Sequence, residues 1–225
     1  MQITFISNKS KAGLAAAVAI LGLAAVQSQA QSVVYNFTDG TSDGWANSGF
    51  SGTPIATVSN IGGANYIYLP VGGFQVGNIS SGSGSAFFTA MQAAAADPAG
   101  YDISYDYYIN TATLTGATYL QVGTFVNTGS GYYAQDYGAP NELTLNGTQL
   151  ASGQVFQGTV TINLAAVGYA MSPAETFYRL GLIENSNATG GGVYFTDISV
   201  IPVPEPASLA LFGLGLAALL RRRKA

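Results

Sequence analysis

Tyr101-Asp102-Ile103-Ser104-Tyr105-Asp106-Tyr107-Tyr108-Ile109-Asn110-Thr111 alternates with a period of two. Ile103, Tyr105, Tyr107 and Ile109 fall on one side, and Asp102, Ser104, Asp106, Tyr108 and Asn110 on the other. Side chains of a strand point alternately to opposite faces, so this pattern is that of a half-buried β-strand. An apolar face and a wet face are expected of an antiparallel sheet. Working outward, similar short segments recur. Residues 31–38 open as a strand. Residues 55–59 and 64–69 read as a hairpin around Asn60-Ile61-Gly62-Gly63, and 74–79 adds a strand. Downstream, 118–126, 143–145, 155–164, 176–184 and 193–200 continue the series, with Asn146-Gly147 as a turn. Val160, Ile162 and Leu164 share a face; so do Tyr178, Leu180 and Leu182, with Arg179 opposite. Residues 86–96 are Ala-rich and stop at Asp97-Pro98, which predicts a single short helix. Residues 127–141 read as a Gly/Tyr loop. Many short strands, Gly-rich turns and one helix give an all-β fold, an antiparallel β-sandwich.

The two ends follow different rules. Lys9 and Lys11 precede an apolar run over 12–26, and Ser28-Gln29-Ala30 supplies small residues for cleavage after Ala30. Residues 1–30 therefore read as a signal peptide, forming a helix before removal. At the other end Pro204-Glu205-Pro206 breaks the last strand, because proline fixes φ and lacks a donor. Residues 207–220 are an apolar run that as a helix spans about 21 Å, shorter than the ~20 residues of a comfortable bilayer crossing. Arg221, Arg222, Arg223 and Lys224 follow and would stay cytoplasmic. A core helix does not fit, since the run has no polar face. The body is then 31–201, long enough for one domain with its own core.

The order Pro-Glu-Pro, short hydrophobic helix, terminal Arg cluster resembles the PEP-CTERM sorting signal, over residues 202–225. The resemblance implies export, transient insertion in the inner membrane, and recognition by an exosortase-type membrane protease near Pro204-Glu205-Pro206. It implies a protein that ends at the cell surface or outside the cell, in bacteria that make exopolysaccharide. Such a signal is an address and does not describe its cargo.

Charge and composition narrow the classes. Outside the two ends Arg179 is the lone cation, against ten of the chain's 11 carboxylates. Such a body has no basic surface for nucleic acid or anionic lipid. It suits solubility outside the cell, or a cation such as Ca²⁺. There is no Cys and no His. Disulfides, the usual zinc sites and Ser-His-Asp triads are thereby excluded.

Tyr35-Asn36-Phe37-Thr38-Asp39-Gly40 with Asp43-Gly44-Trp45, and the closing Val193-Tyr194-Phe195-Thr196-Asp197-Ile198-Ser199-Val200, are similar to the first and last strands of carbohydrate-binding jelly rolls and galactose-binding-like domains. The resemblance implies a jelly-roll-like sandwich and a structural Ca²⁺ site to which Asp43 and Asp197 contribute. Carboxylates and carbonyls are its natural ligands, and the other reading is a turn residue and a surface strand residue. Trp45 either stacks on a sugar or packs into the core, the commoner use of such a residue. Tyr132, Tyr133 and Tyr137 with Asp136 form the exposed glycan-binding candidate. Aromatic faces cover a sugar's C–H face while a carboxylate accepts from its hydroxyls, and the alternative is a plain surface loop. Asp102 and Asp106, about 13 Å apart along one strand, are a poor pair for glycoside hydrolysis. The expectation is a non-enzymatic exported surface or matrix protein, associated with exopolysaccharide or biofilm and binding glycan weakly. Beside it stand a structural or adhesive protein with no small ligand, and an enzyme pairing Asp136 with Glu184.

Overall fold

The computed structural model of the chain describes residues 31–47, 57–134 and 143–203. All belong to a compact unit that begins at Gln31. Ala30, Asp136, Tyr137 and the sorting residues from Pro204 to Arg223 lie outside the described residues.

Among the described residues twelve strands form two antiparallel sheets, the β-sandwich that the alternation predicts. In chain order they are β1 (Val33–Tyr35), β2 (Ala46–Asn47), β3 (Thr57–Ile61), β4 (Ala64–Pro70), β5 (Gly73–Gly82), β6 (Tyr101–Asn110), β7 (Tyr119–Thr128), β8 (Tyr132–Ala134), β9 (Leu143–Asn146), β10 (Val155–Asn163), β11 (Phe177–Ser186) and β12 (Gly192–Pro202). The first sheet runs β10-β6-β12-β4-β3, with β1 also on β12; the second runs β2-β5-β11-β7-β8, with β9 also on β7. Both termini of the body thus enter the first sheet through a β1–β12 pair.

The strand that opens the sequence reading behaves as its pattern requires. Ile103, Tyr105 and Ile109 are fully buried and Tyr107 packs at the margin of the core, while Asp102, Ser104, Asp106, Tyr108 and Asn110 face outward, half-exposed. On the facing sheet, Tyr178, Leu180 and Leu182 of β11 close the core from the other side. The helix α1 spans Ala86–Ala96, as the Ala-rich run predicts. Ser85 caps it by accepting from the Phe88 N–H at 3.0 Å, and Asp97 with Pro98 ends it. Phe87, Phe88, Met91 and Ala94 bury its apolar side, with Phe88 5.3 Å from the Tyr178 ring.

Three local expectations are corrected. The hairpin turn is only Gly62-Gly63, both at positive φ, and Asn60 and Ile61 belong to β3. A two-residue hairpin turn with both central residues at positive φ favours glycine. The Asn146-Gly147 turn leads into a helical turn, α2 (Gly147–Leu150), because Asn146 and Gln149 form a reciprocal capping box. Finally, the predicted 127–141 loop contains β8, which pairs with β7 from Asn127↔Tyr132 to Phe125↔Ala134.

Candidate functional site

Four tyrosines meet on the outer face of the first sheet. Tyr66 and Tyr68 stand two apart on β4, so both point away from the core that Ile67 and Leu69 fill. Tyr194 on β12 is directly opposite Tyr68 on one side and Tyr108 of β6 on the other. Tyr68, Tyr194 and Tyr108 therefore make one row across three strands, about 9.5 Å wide at the usual strand spacing. Ring centroids lie 4.9 Å apart for Tyr68–Tyr194 and 6.0 Å for Tyr108–Tyr194. Tyr66 adds a fourth ring, 6.4 Å from both Tyr108 and Tyr194. All four are half-buried, so part of each remains open to solvent.

The row is held in place. The Tyr68 hydroxyl donates to the Gly191 carbonyl at 2.6 Å. Gly192 is required beneath it, since a methyl group there would overlap both the Tyr68 ring and the Leu69 carbonyl. Asp106, one pleat along from Tyr108, accepts from Thr159 Oγ1 at 2.5 Å. Burial, then the charges of Asp106 and Asp197, raise the Tyr66 phenol pKa, and burial with Tyr194 and Glu184 does the same for Tyr68. These phenols stay neutral at physiological pH and can both donate and accept hydrogen bonds. The face thus combines neutral aromatic surface with hydroxyls and a fixed carboxylate.

Tyr132 lies elsewhere, on the outer face of the second sheet. It is 58% exposed and stacks on Phe125 at 5.3 Å with 27° between rings. Phe125 in turn covers Gly181, leaving no room for a side chain there. Tyr133 is in β8, opposite Val126, while Asp136 and Tyr137 of the same candidate fall outside the described residues.

Trp45 is corrected to the core: it is 1% exposed and meets Tyr35 edge-to-face at 5.9 Å, so neither ring face is open to a sugar. Asp43 and Asp197 are both exposed, and both have positive φ. Asp197 sits at the bulge where β12 changes partner from β4 to β1. Among the described residues no three acidic side chains converge as a metal cage. A calcium ion there would need carbonyls and water to complete its shell of six to eight oxygens.

Glu184 is also corrected. It lies on the inward face of β11 and is fully buried between the sheets, so it cannot line a surface cleft with Asp136. Burial pushes its carboxyl up to about 7. Neither carboxyl oxygen reaches hydrogen-bond geometry with a partner, and Ser186 pulls the other way too weakly to offset the burial. Asp102 and Asp106 remain on one wet face, bonded to Asn163 and Thr159 respectively.

The tyrosine row had a partial signal in the sequence. Tyr66 and Tyr68 share a face by spacing, and Tyr108 falls on the polar side of its strand. That Tyr194 joins them depends on β12 lying between β4 and β6, which no local pattern states.

Comparison with known proteins agrees with both parts of the chain. A non-crystalline cellulose specific carbohydrate-binding module, CBM28, superposes with a TM-score of 0.51 at 16% identity, covering 75% of this chain and 92% of that one. Caldicellulosiruptor saccharolyticus CBM27-1, solved with mannohexaose, gives 0.46 at 13% identity over 75% of this chain and 95% of its own. The K2 cleaved adhesin domain of Lys-gingipain gives 0.46 at 10% identity, over 76% and 97%. Only the first exceeds 0.5, and at that identity it shows the fold alone. No curated protein matches the chain. Residues 202–224 match the PEP-CTERM protein-sorting motif, and the body before them has a β-sandwich fold like that of carbohydrate-binding modules.

Proposed function

We propose that this chain is an exported, non-catalytic surface or matrix protein that holds polysaccharide on the tyrosine face of its first sheet. In this reading residues 1–30 are removed after Ala30, and residues 31–201 are the cargo. Residues 202–225 engage an exosortase-type protease during a transient stay in the inner membrane. The observation that carries the binding is the row Tyr68–Tyr194–Tyr108 with Tyr66 beside it. Tyrosine is rigid, and its face packs on a sugar's C–H surface while its hydroxyl bonds the sugar's hydroxyls. Ten carboxylates against one cation repel an acidic polymer, so a neutral exopolysaccharide is the favoured ligand.

The test is affinity electrophoresis of the exported protein in gels containing neutral polysaccharides, cellulose derivatives and mannans among them. Tyr194→Ala, which removes the centre of the row, is expected to weaken retention about tenfold, or about 1.4 kcal/mol. Full retention by Tyr194→Ala with loss in Tyr132→Ala would move the site to the second sheet, where the Tyr132–Phe125 stack offers the other aromatic surface. No retention on any polysaccharide would leave the purely structural or adhesive reading. Sorting is tested separately, by intact mass and fractionation with and without the host's exosortase. The expected mature form begins at Gln31, ends near Pro204-Glu205-Pro206 and lies outside the cell. A full-length tail retained in the inner membrane would make the C-terminus a plain anchor.

A further inference from the structure

Among the described residues β10 is the outermost strand of the first sheet, and no strand pairs with its far side. It pairs with β6 along its whole length, from Val155↔Asn110 to Asn163↔Asp102. Just beyond each end, the Thr111 N–H donates to the Gln154 carbonyl at 2.9 Å and the Leu164 N–H to the Tyr101 carbonyl at 3.3 Å. Opposed residues of an antiparallel pair alternate between bonded and non-bonded. Continuing that alternation, the even-numbered residues of β10 bond to β6. The odd-numbered Val155, Gln157, Thr159 and Thr161 turn their N–H and C=O groups outward. Gln157, Gly158, Thr159 and Thr161 are exposed, and Val155 is 46% exposed.

Edges of this kind are usually blunted by a charge, a proline, a bulge or a covering loop. Val-Phe-Gln-Gly-Thr-Val-Thr-Ile-Asn holds no charge and no proline, and its register to β6 is unbroken. It is also complementary to itself. Laid antiparallel on a second copy about Thr159, it pairs Gln157 with Thr161 on the wet face, and Gly158 with Val160 and Phe156 with Ile162 on the core side. Outward-turned groups meet outward-turned groups at Thr159 and at Gln157–Thr161. A two-fold contact requires one patch to match itself in this way.

We propose that β10 is a docking edge for a second copy of this chain, joining two first sheets into one continuous sheet about a two-fold axis at Thr159. The contact leaves the tyrosine face open on both copies, so it makes the particle bivalent toward a polymer.

The register makes the test specific. The exported protein is recovered from its host with substitutions made in the full-length chain, and association is read by sedimentation equilibrium. Gln157→Lys with Thr161→Lys sets lysine against lysine twice across the axis, and at least a tenfold weaker association is expected. Gln157→Lys with Thr161→Glu sets lysine against glutamate in both places, and association is expected to return. Because the chain has no cysteine, Thr159→Cys introduces a unique thiol, and a short bis-maleimide is expected to give a covalent dimer. Thr148→Cys, also exposed and on α2, serves as the control that does not cross-link. The proposal is overturned by a monomer at all concentrations, by a double-lysine variant that associates like the parent, or by equal cross-linking at both cysteines. Should the double-lysine variant not fold, the cysteine pair in the otherwise unchanged chain decides.

Discussion

Replacing Glu184 by glutamine is expected to abolish most of the pH dependence of stability between pH 5 and 8, and to stabilise the sandwich at the upper end. Glu184 is fully buried on the inward face of β11, flanked across the sheet by Gln75 on β5 and Val122 on β7. Its carboxyl titrates near 7 in the folded chain against an ordinary value of 4.5, chiefly because burial disfavours the anion. The folded state therefore holds a proton that the unfolded state has released across this window, so stability falls as pH rises. Above both values the full penalty applies, on the order of 3 kcal/mol at about 1.4 kcal/mol per pKa unit. Below pH 4.5 both states are protonated and the effect vanishes. Asp39, whose carboxyl is lowered mainly by the Thr41 N–H, acts in the opposite sense but titrates below this window. Tyr35 and Tyr178, pushed by burial to about 12, act above it. Urea midpoints at pH 5, 6.5 and 8 check the claim. An unchanged pH slope in Glu184→Gln would assign the dependence to another group.

Gly192→Ala is expected to cost about 3 kcal/mol and to remove polysaccharide retention even where the protein still folds. A methyl group at that position would overlap the Tyr68 ring and, more seriously, the Leu69 carbonyl. The ring can swing away, but the carbonyl belongs to a strand paired with β12 at Val193↔Leu69, so the ladder itself must shift. Overpacking of this kind typically costs 1–3 kcal/mol, more where backbone must move. Swinging Tyr68 out also breaks its bond to Gly191 and opens the row at one end. Tyr68→Phe separates the two effects. It keeps the ring and loses one hydrogen bond, for about 1 kcal/mol, and should retain polysaccharide nearly as well as the parent. Thermal melts and gel retention on the same three proteins decide. If Gly192→Ala binds like the parent, Tyr68 is not part of the site.

The hairpin of β3 and β4, the helix over Ala86–Ala96 and the half-buried β6 were all legible in the chain itself. Each depends on residues a few positions apart: a period of two, a glycine-containing turn, an alanine run stopped by Asp97-Pro98. The β8 strand was not legible, because Tyr132–Ala134 is only three residues long and its reason to extend is the β7 edge beside it. Glu184 could not be placed either. Its alternation partners Leu180 and Leu182 put it on the inward side, yet a carboxylate at a strand's end is ordinarily a wet one.

By itself the amino-acid sequence determined the strand periodicity, the lack of cysteine and histidine and so of the chemistry they carry, and the sorting motif at 202–224. These are properties of composition and short-range order, which a linear chain carries in full. Only the tertiary structure decided which outer faces adjoin. It brings Tyr66 and Tyr68 beside Tyr108 and Tyr194, residues up to 128 positions apart in the chain. It buries Trp45 and Glu184, and among the described residues it leaves β10 outermost in the first sheet. Strand order and the facing of the sheets are set by closing one core between two sheets, and that is a requirement on the whole chain which no segment states alone.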